Sequence, residues 1–271
     1  MVCKMKIGLC TIAFRDHSLK DVIEIAKTVA VDGIEIWGQP AHVGPDIDQT
    51  ELEIVKHMIE QANLRVSAYG SYIRFAANDR EVNSESDFKK ALAITKALGT
   101  DIMRIWVGSK PSEDMNQQDW ELATNSLTKA CVEADKYGIY LAMEMHDSCF
   151  TDTETATLRL INEVKADNLK VNYQPSFRLA PDRELKSLQA VREFTINVHA
   201  QNRIRLASKP GEKLELARLA EGVADYRAIV EELQSIDYSK FISIEFVQGP
   251  DQLDALRQDI EYLRKCIHSY R

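Results

Sequence analysis

Four stretches of this 271-residue chain end an apolar run in side chains that can hold a metal or move a proton. In "IYLAMEMHDS" they are Glu144 and His146; in "LKVNYQPSF", Asn172 and Gln174; in "TINVHAQNR", Asn197, His199 and Gln201; in "ISIEFVQGP", Glu245. A spacing of two puts side chains on the same face of a β-strand. Glu144 and Glu245, with the His199 imidazole and the Gln174 carboxamide oxygen, form a donor set for one divalent cation. The set suits Mn, Mg, Co or Zn without selecting among them. Plainer readings stand beside this one: a strand carboxylate can pair with an interior arginine, a lone histidine can be a satisfied core residue, and a buried amide can bond neighbouring backbone.

These residues act together only if the fold brings the strand ends to one place. Polar groups are costly inside a parallel strand covered on both faces, except at an end that opens on a pocket. Short β-rich runs alternate here with longer stretches of helical period, the pattern of repeated β–α units. The strands expected are Lys6–Phe14, Gly33–Trp37, Arg65–Tyr72, Asp101–Val107, Ile139–Met145, Leu169–Tyr173, Thr195–His199 and Ile242–Phe246. Between them fall helices at Leu19–Val29, Thr50–Ala62, Glu85–Leu98, Gln117–Tyr137, Thr153–Val164, Arg183–Phe194, Tyr226–Ser235 and Asp251–His268. Ser18 and Thr153 are expected as N-caps, and Gly33, Gly99 and Gly138 as left-handed helix ends. The loop "GLCTIAFRDHS" is not G-x-G-x-x-G, which argues against an open nucleotide-binding sheet. The fold expected is α/β, a single (β/α)8 TIM barrel occupying residues 1–271 as one domain, with its catalytic rim at the C-terminal strand ends.

Composition narrows the partners. A net charge of -8 and a pI near 5.4 exclude nucleic acid, which needs clustered Lys and Arg. The five cysteines are scattered, with no C-x-x-C pair, and read as reduced thiols in a cytoplasmic protein. No run approaches about 20 apolar residues, so no membrane span is expected. The N-terminus lacks the apolar core and small-residue cleavage site of a signal peptide. A homo-oligomer is left open.

The segments "KIGLCTIAF", "VDGIEIWG", "LGTDIMRIWVG", "LAMEMHDSCFTDT", "VHAQNR" and "ISIEF", in this order, resemble the xylose-isomerase-like TIM-barrel superfamily over nearly the whole chain. That superfamily includes sugar and sugar-phosphate isomerases and epimerases, inosose dehydratases and hydroxypyruvate isomerases. The resemblance implies one divalent cation held by Glu144, the Gln174 position, His199 and Glu245. The chain departs from the pattern at Gln174 and Phe177, where relatives often carry the Asp and His of a D-x-x-H motif, so the site is less anionic and binds metal more weakly. Arg205, six residues after His199, is implied to hold a substrate hydroxyl or anionic group, in a loop made basic by Arg203, Lys209 and Lys213. Phe150 stands where some epimerases carry a substrate-binding acid.

His146 and Trp106 are expected at the substrate, with Trp37, Tyr72 and Trp106 as an aromatic wall, although strand aromatics also serve plain packing. Glu35 and Arg104 are expected to form a buried ion pair that orients the ligands. His42 is expected in a loop that closes over the site, or else as an ordinary surface residue. The chemistry implied is proton abstraction beside a carbonyl through an enediolate, with Glu144 and Glu245 flanking the substrate. The expected function is a metal-dependent isomerase or epimerase of a small sugar or sugar derivative. The alternatives are a lyase (dehydratase) acting on a keto-inositol or keto-sugar, and a non-catalytic sugar-binding barrel with a decayed metal site.

Overall fold

The computed structural model describes residues 5–76, 83–176, 179–205 and 214–269. Its strands are β1 (Lys6–Cys10), β2 (Gly33–Trp37), β3 (Arg65–Phe75), β4 (Ile102–Val107), β5 (Tyr140–Glu144), β6 (Leu169–Tyr173), β7 (Thr195–Ala200), β8 (Asn202–Arg205), β9 (Leu214–Ala217) and β10 (Phe241–Ile244). All but β8 and β9 pair in parallel in the order β1-β10-β7-β6-β5-β4-β3-β2 and close on themselves. Outside them lie α1 (Leu19–Thr28), α2 (Gln49–Gln61), α3 (Glu85–Ala97), α4 (Gln117–Asp135), α5 (Glu154–Val164), α6 (Pro181–Val191), α7 (Tyr226–Gln234) and α8 (Gln252–His268). The chain is thus the (β/α)8 barrel expected. Among the described residues no helix is long and apolar enough to cross a membrane.

Helix starts follow from capping chemistry. Ser18 and Thr153 accept hydrogen bonds from the Asp21 and Ala156 amides, as expected, and Ser84 and Asn116 each form a reciprocal capping box. Each such cap satisfies amides the helix cannot reach and stabilises by about 0.5–2 kcal/mol. Gly99 and Gly138 take the left-handed conformation expected of them, with φ of 77° and 67°. Gly33 does not: Ala30 occupies the left-handed position after α1, and Gly33 opens β2, where an added Cβ would lie 2.5 Å from the Arg65 carbonyl oxygen.

Two further differences bear on the site. The first strand stops at Cys10, and Thr11–Phe14 forms a 3₁₀ turn in which the Thr11 hydroxyl accepts from the Trp37 amide at 2.9 Å. The hairpin of β8 and β9 has no counterpart among the expected elements; it is antiparallel and extends the loop between β7 and α7.

Inside the barrel, Ala68, Ile102 and Ala142 form a small apolar plug, against which Ile196 packs. Above it lies a buried polar layer that includes Glu35, Arg104, Glu144, Asn172, Asn197 and His199. A register shift between β6 and β7 turns both Ile196 and Asn197 inward, as bulges do. The larger core fills the space between barrel and helices, so the interior is left to the polar layer.

Candidate active site

Strand pairing sets the polar layer in register: Glu144 lies beside Asn172 across β5 and β6, and Asn172 beside Asn197 across β6 and β7. Gln174 and Glu245 lie just beyond β6 and β10, where the Glu245 amide still donates to the Ala200 carbonyl at 2.9 Å. The two carboxylates and His199 therefore converge. His199 Nδ1 is 3.7 Å from Glu144 Oε1 and 3.5 Å from Glu245 Oε1, and one terminal atom of the Gln174 amide lies 3.1 Å from Glu144 Oε1 and from Glu245 Oε2. Donors about 2.0–2.2 Å from a shared ion stand about 3.0–3.5 Å apart; three of these separations lie in that range and the His199–Glu144 one, at 3.7 Å, lies just beyond it, so a small closure would suit one divalent cation.

Each ligand candidate has its own support. His199 Nε2 contacts both Glu35 oxygens, at 2.9 and 3.0 Å, which leaves Nδ1 turned towards Glu144 and Glu245. Asn197 donates to Glu35 Oε2 and to Asn172 Oδ1, both at 2.7 Å. Arg104 Nε stands 3.1 Å from Glu144 Oε2, in charge contact without the alignment of a hydrogen bond, while its Nη1 donates to the Ser71 carbonyl at 2.8 Å. The expected Glu35–Arg104 pair is thus replaced by two others, Glu35 with His199 and Arg104 with Glu144. Gln201 Nε2 donates to Glu245 Oε2 at 2.7 Å.

The electrostatics differ from group to group. Burial raises the Glu144 carboxyl, but the charges of Arg104 and His199 outweigh it and hold the group down at about 2. Burial pushes Glu245 up to about 7, with His199 opposing and the Glu144 charge adding. Glu35 lies below the usual carboxylate range, because its contacts with His199 overcome burial. Burial likewise opposes charge on His199, yet the Glu35 and Glu245 carboxylates lift it well above the ordinary imidazole value. Three carboxylates around one imidazole form an excess of negative charge that a proton on His199, or a cation between the ligands, can answer.

These groups open on a cavity of about 680 Å³ at the C-terminal rim. Trp37, Tyr72, Trp106 and His146 line it. The Trp37 indole donates to the Tyr72 hydroxyl at 2.8 Å; the Arg74 and Arg104 guanidinium carbons each lie 4.9 Å from the Trp106 ring centroid, and His146 meets that ring edge-on at 5.1 Å. His42 does not line the cavity. Its ring nitrogens face the Thr11 hydroxyl at 2.7 Å and the His17 carbonyl at 3.2 Å, so it braces the wall behind Trp37 instead of closing over the site. Arg203 lines the cavity; the Arg205 side chain lies outside the described residues, as do Phe177, Lys209 and Lys213. Phe150 is buried beneath Gly108, where an added Cβ would lie 2.2 Å from its ring.

Two members were missed in sequence. The Cys10 thiol lies within 4.8 Å of Glu35 and His199 ligand atoms; the alternation of Gly8 and Cys10 in β1 was the available signal. Glu184, on α6, accepts from the Tyr173 hydroxyl and from the Ser176 amide, at 3.0 Å for the latter, and so holds both flanks of the loop carrying Gln174. Nothing in a helical sequence marks such a residue.

A (β/α)8 barrel with a carboxylate–imidazole cluster at its mouth is the class that fold and site define. The sequence profile described as xylose isomerase-like TIM barrel matches residues 23–266, and the chain belongs to that family. It is 25% identical to a 3-dehydroshikimate dehydratase of Bacillus anthracis, with 96% of each chain covered. In structure it is similar to D-psicose 3-epimerase from Clostridium cellulolyticum, solved with D-tagatose, at TM-score 0.77 and 16% identity, covering 97% of this chain and 99% of that one. It is also similar to a xylose isomerase-like protein of Mycobacterium smegmatis, solved in complex with magnesium, at TM-score 0.75 and 16% identity, covering 98% and 97%.

Proposed function

We propose that the protein is a metal-dependent lyase that removes water from a small hydroxylated keto compound, a ring with a hydroxyl on the carbon β to its carbonyl. The observation that carries this reading is the inequality of the two carboxylates. Two-base epimerisation needs one acid and one base that exchange roles, and Glu144, held ionised against Arg104, is a poor proton donor. Glu245, raised to about 7, is suited to take a proton near neutrality. The full-length likeness to a 3-dehydroshikimate dehydratase supports the same class.

Glu144, Gln174, His199 and Glu245 would hold the cation, which supplies positive charge where the carbonyl oxygen becomes negative. Glu245 takes the proton from the carbon beside the carbonyl, and the electron pair moves onto the carbonyl oxygen. As the carbonyl re-forms, the β C–O bond breaks, and the departing hydroxide takes a proton from His146 on the cavity wall and leaves as water. Trp106 and Tyr72 line the cavity beside the ring, and Arg104 keeps Glu144 anionic throughout.

The test is incubation of Mg²⁺- or Mn²⁺-loaded protein with 3-dehydroshikimate, in which loss of water and enolisation give an aromatic dihydroxybenzoate visible in the ultraviolet. Keto-inositols and keto-sugars would be assayed beside it. Glu245→Gln should lower the rate about 10²- to 10⁴-fold. Formation of an epimer or isomer with no water lost would overturn the lyase reading in favour of the sugar isomerase or epimerase.

A further inference from the structure

The Gln174 amide stands between two carboxylates and a second amide. One of its terminal atoms is 3.1 Å from Glu144 Oε1, 3.1 Å from Glu245 Oε2 and 3.0 Å from Gln201 Nε2; the other is 3.2 Å from Gln201 Nε2. With its nitrogen towards the carboxylates, Gln174 donates to both acids and its oxygen accepts from Gln201, so the Gln174 amide finds partners without any ion. With its oxygen there, three oxygens face one another, which is repulsive unless a cation lies among them. The two states differ by a half-turn about the terminal torsion, which is soft in glutamine. The Gln201 side chain is held by its own bond, Nε2 donating to Glu245 Oε2 at 2.7 Å, while its backbone N–H donates to the Tyr226 hydroxyl at 2.9 Å and its backbone carbonyl accepts from that hydroxyl at 2.7 Å. Glu184 anchors the Tyr173 side chain on one side of Gln174 and the Ser176 backbone amide on the other, which favours a change confined to the Gln174 side chain.

We infer that Gln174 is a latch on the cation site. Its amide bridges Glu144 and Glu245 when the site is empty and turns its oxygen inward when a divalent cation enters. The inference rests on the cation-site reading above and adds that the cation must displace two amide–carboxylate hydrogen bonds, so that this site binds more weakly than its charge alone would set.

The experiment uses chelator-stripped protein with ¹⁵N-labelled glutamine and diamagnetic Mg²⁺, without substrate. The Gln174 side-chain NH₂ signal, identified by its loss in Gln174→Met, should be protected from solvent exchange in the stripped protein. It should lose that protection and shift as Mg²⁺ saturates the His199 ring signals. Gln174→Glu, whose ionised carboxylate cannot donate to the two acids, should bind Mg²⁺ at least tenfold more tightly by calorimetry at pH 8.5. An NH₂ group exposed in the stripped protein, one equally protected at saturating Mg²⁺, unchanged affinity in Gln174→Glu, or no Mg²⁺ binding by either protein would each overturn the latch. Because no substrate is present, the lyase reading can fail while the latch stands, and the reverse.

Discussion

The two halves of the barrel mouth hold the same residue type by opposite means. On the β4–β5 side, Glu144 lies against the buried guanidinium of Arg104, and its carboxyl falls to about 2. On the β7–β10 side, Glu245 receives a neutral amide from Gln201, and burial takes it up to about 7. Both glutamates are buried at the C-terminal ends of strands, β5 and β10, and line one cavity, so burial alone does not separate them. The His199 charge reaches both, but Glu144 also has the Arg104 guanidinium at 3.1 Å and so overcomes desolvation, whereas Glu245 meets the like charges of Glu144 and Glu35 and does not. One half of the mouth thereby keeps a permanent anion for a cation to rest on, and the other keeps a group able to exchange a proton.

The contrast is broken most forcefully at Arg104. Arg104→Met leaves Glu144 buried without its counter-charge, at a cost of about 3–5 kcal/mol in unfolding by urea at pH 7. The sign of the acid response follows from the direction of the shift. Glu144 lies below its ordinary value of 4.5 when folded, so its contribution is present above about pH 4.5 and is lost as the pH falls towards 2. In Arg104→Met the folded carboxyl moves up towards or past 4.5, so this loss should shrink, and an unfolding free energy that falls between pH 4.5 and pH 2 by as much as in the native chain would remove the charged clamp from the comparison.

The opposite sign holds on the other side. Glu245 rises from 4.5 to about 7 on folding, so its contribution is full below about pH 4.5 and is lost as the pH climbs through 7. Glutamine at this position does not titrate. Metal-free Glu245→Gln should therefore be more stable than the native chain at pH 8, by on the order of 2–3 kcal/mol, with the gap closing towards pH 4.5. Melting curves at pH 5 and pH 8 measure this as a difference of a few degrees that appears only at the higher pH.

How much of this contrast could be read from sequence depends on whether a residue acts through its strand or through its neighbours. Glu144, His199 and Glu245 were legible because polar residues ending apolar runs leave few places for them but a barrel mouth. The barrel itself was legible from the β–α period. The partners were not: Glu35 and Arg104 stood out as buried charges, yet strand order alone does not say which carboxylate faces which cation. The packing across the barrel decides it, with Arg104 reaching Glu144 and His199 reaching Glu35, where the Asn197 amide also donates. His42 failed for a similar reason, since the 3₁₀ turn that ends β1 early brings Thr11 within 2.7 Å of its ring. Glu184 acts from a helix on a loop, a relation that has no period in the chain.

The finest separation of the two halves lies in Gln201. Its amide donates to ionised Glu245 but adds nothing to the protonated oxygen, so it favours the charged form. Gln201→Met keeps the volume and removes the bond, which should raise the Glu245 carboxyl by up to about one unit, the equivalent of a hydrogen bond worth about 1–1.5 kcal/mol. Protons and cation compete for Glu245, so the pH at which Mn²⁺ binding reaches half its alkaline strength should move up by the same amount. Glu144, ionised across that whole range, contributes nothing to the profile. Titrations of Mn²⁺ from pH 5.5 to pH 8.5 followed by electron paramagnetic resonance would measure the displacement. A profile that stays in place would mean that burial alone sets Glu245, and the difference between the two halves would then reduce to the single charge on Arg104.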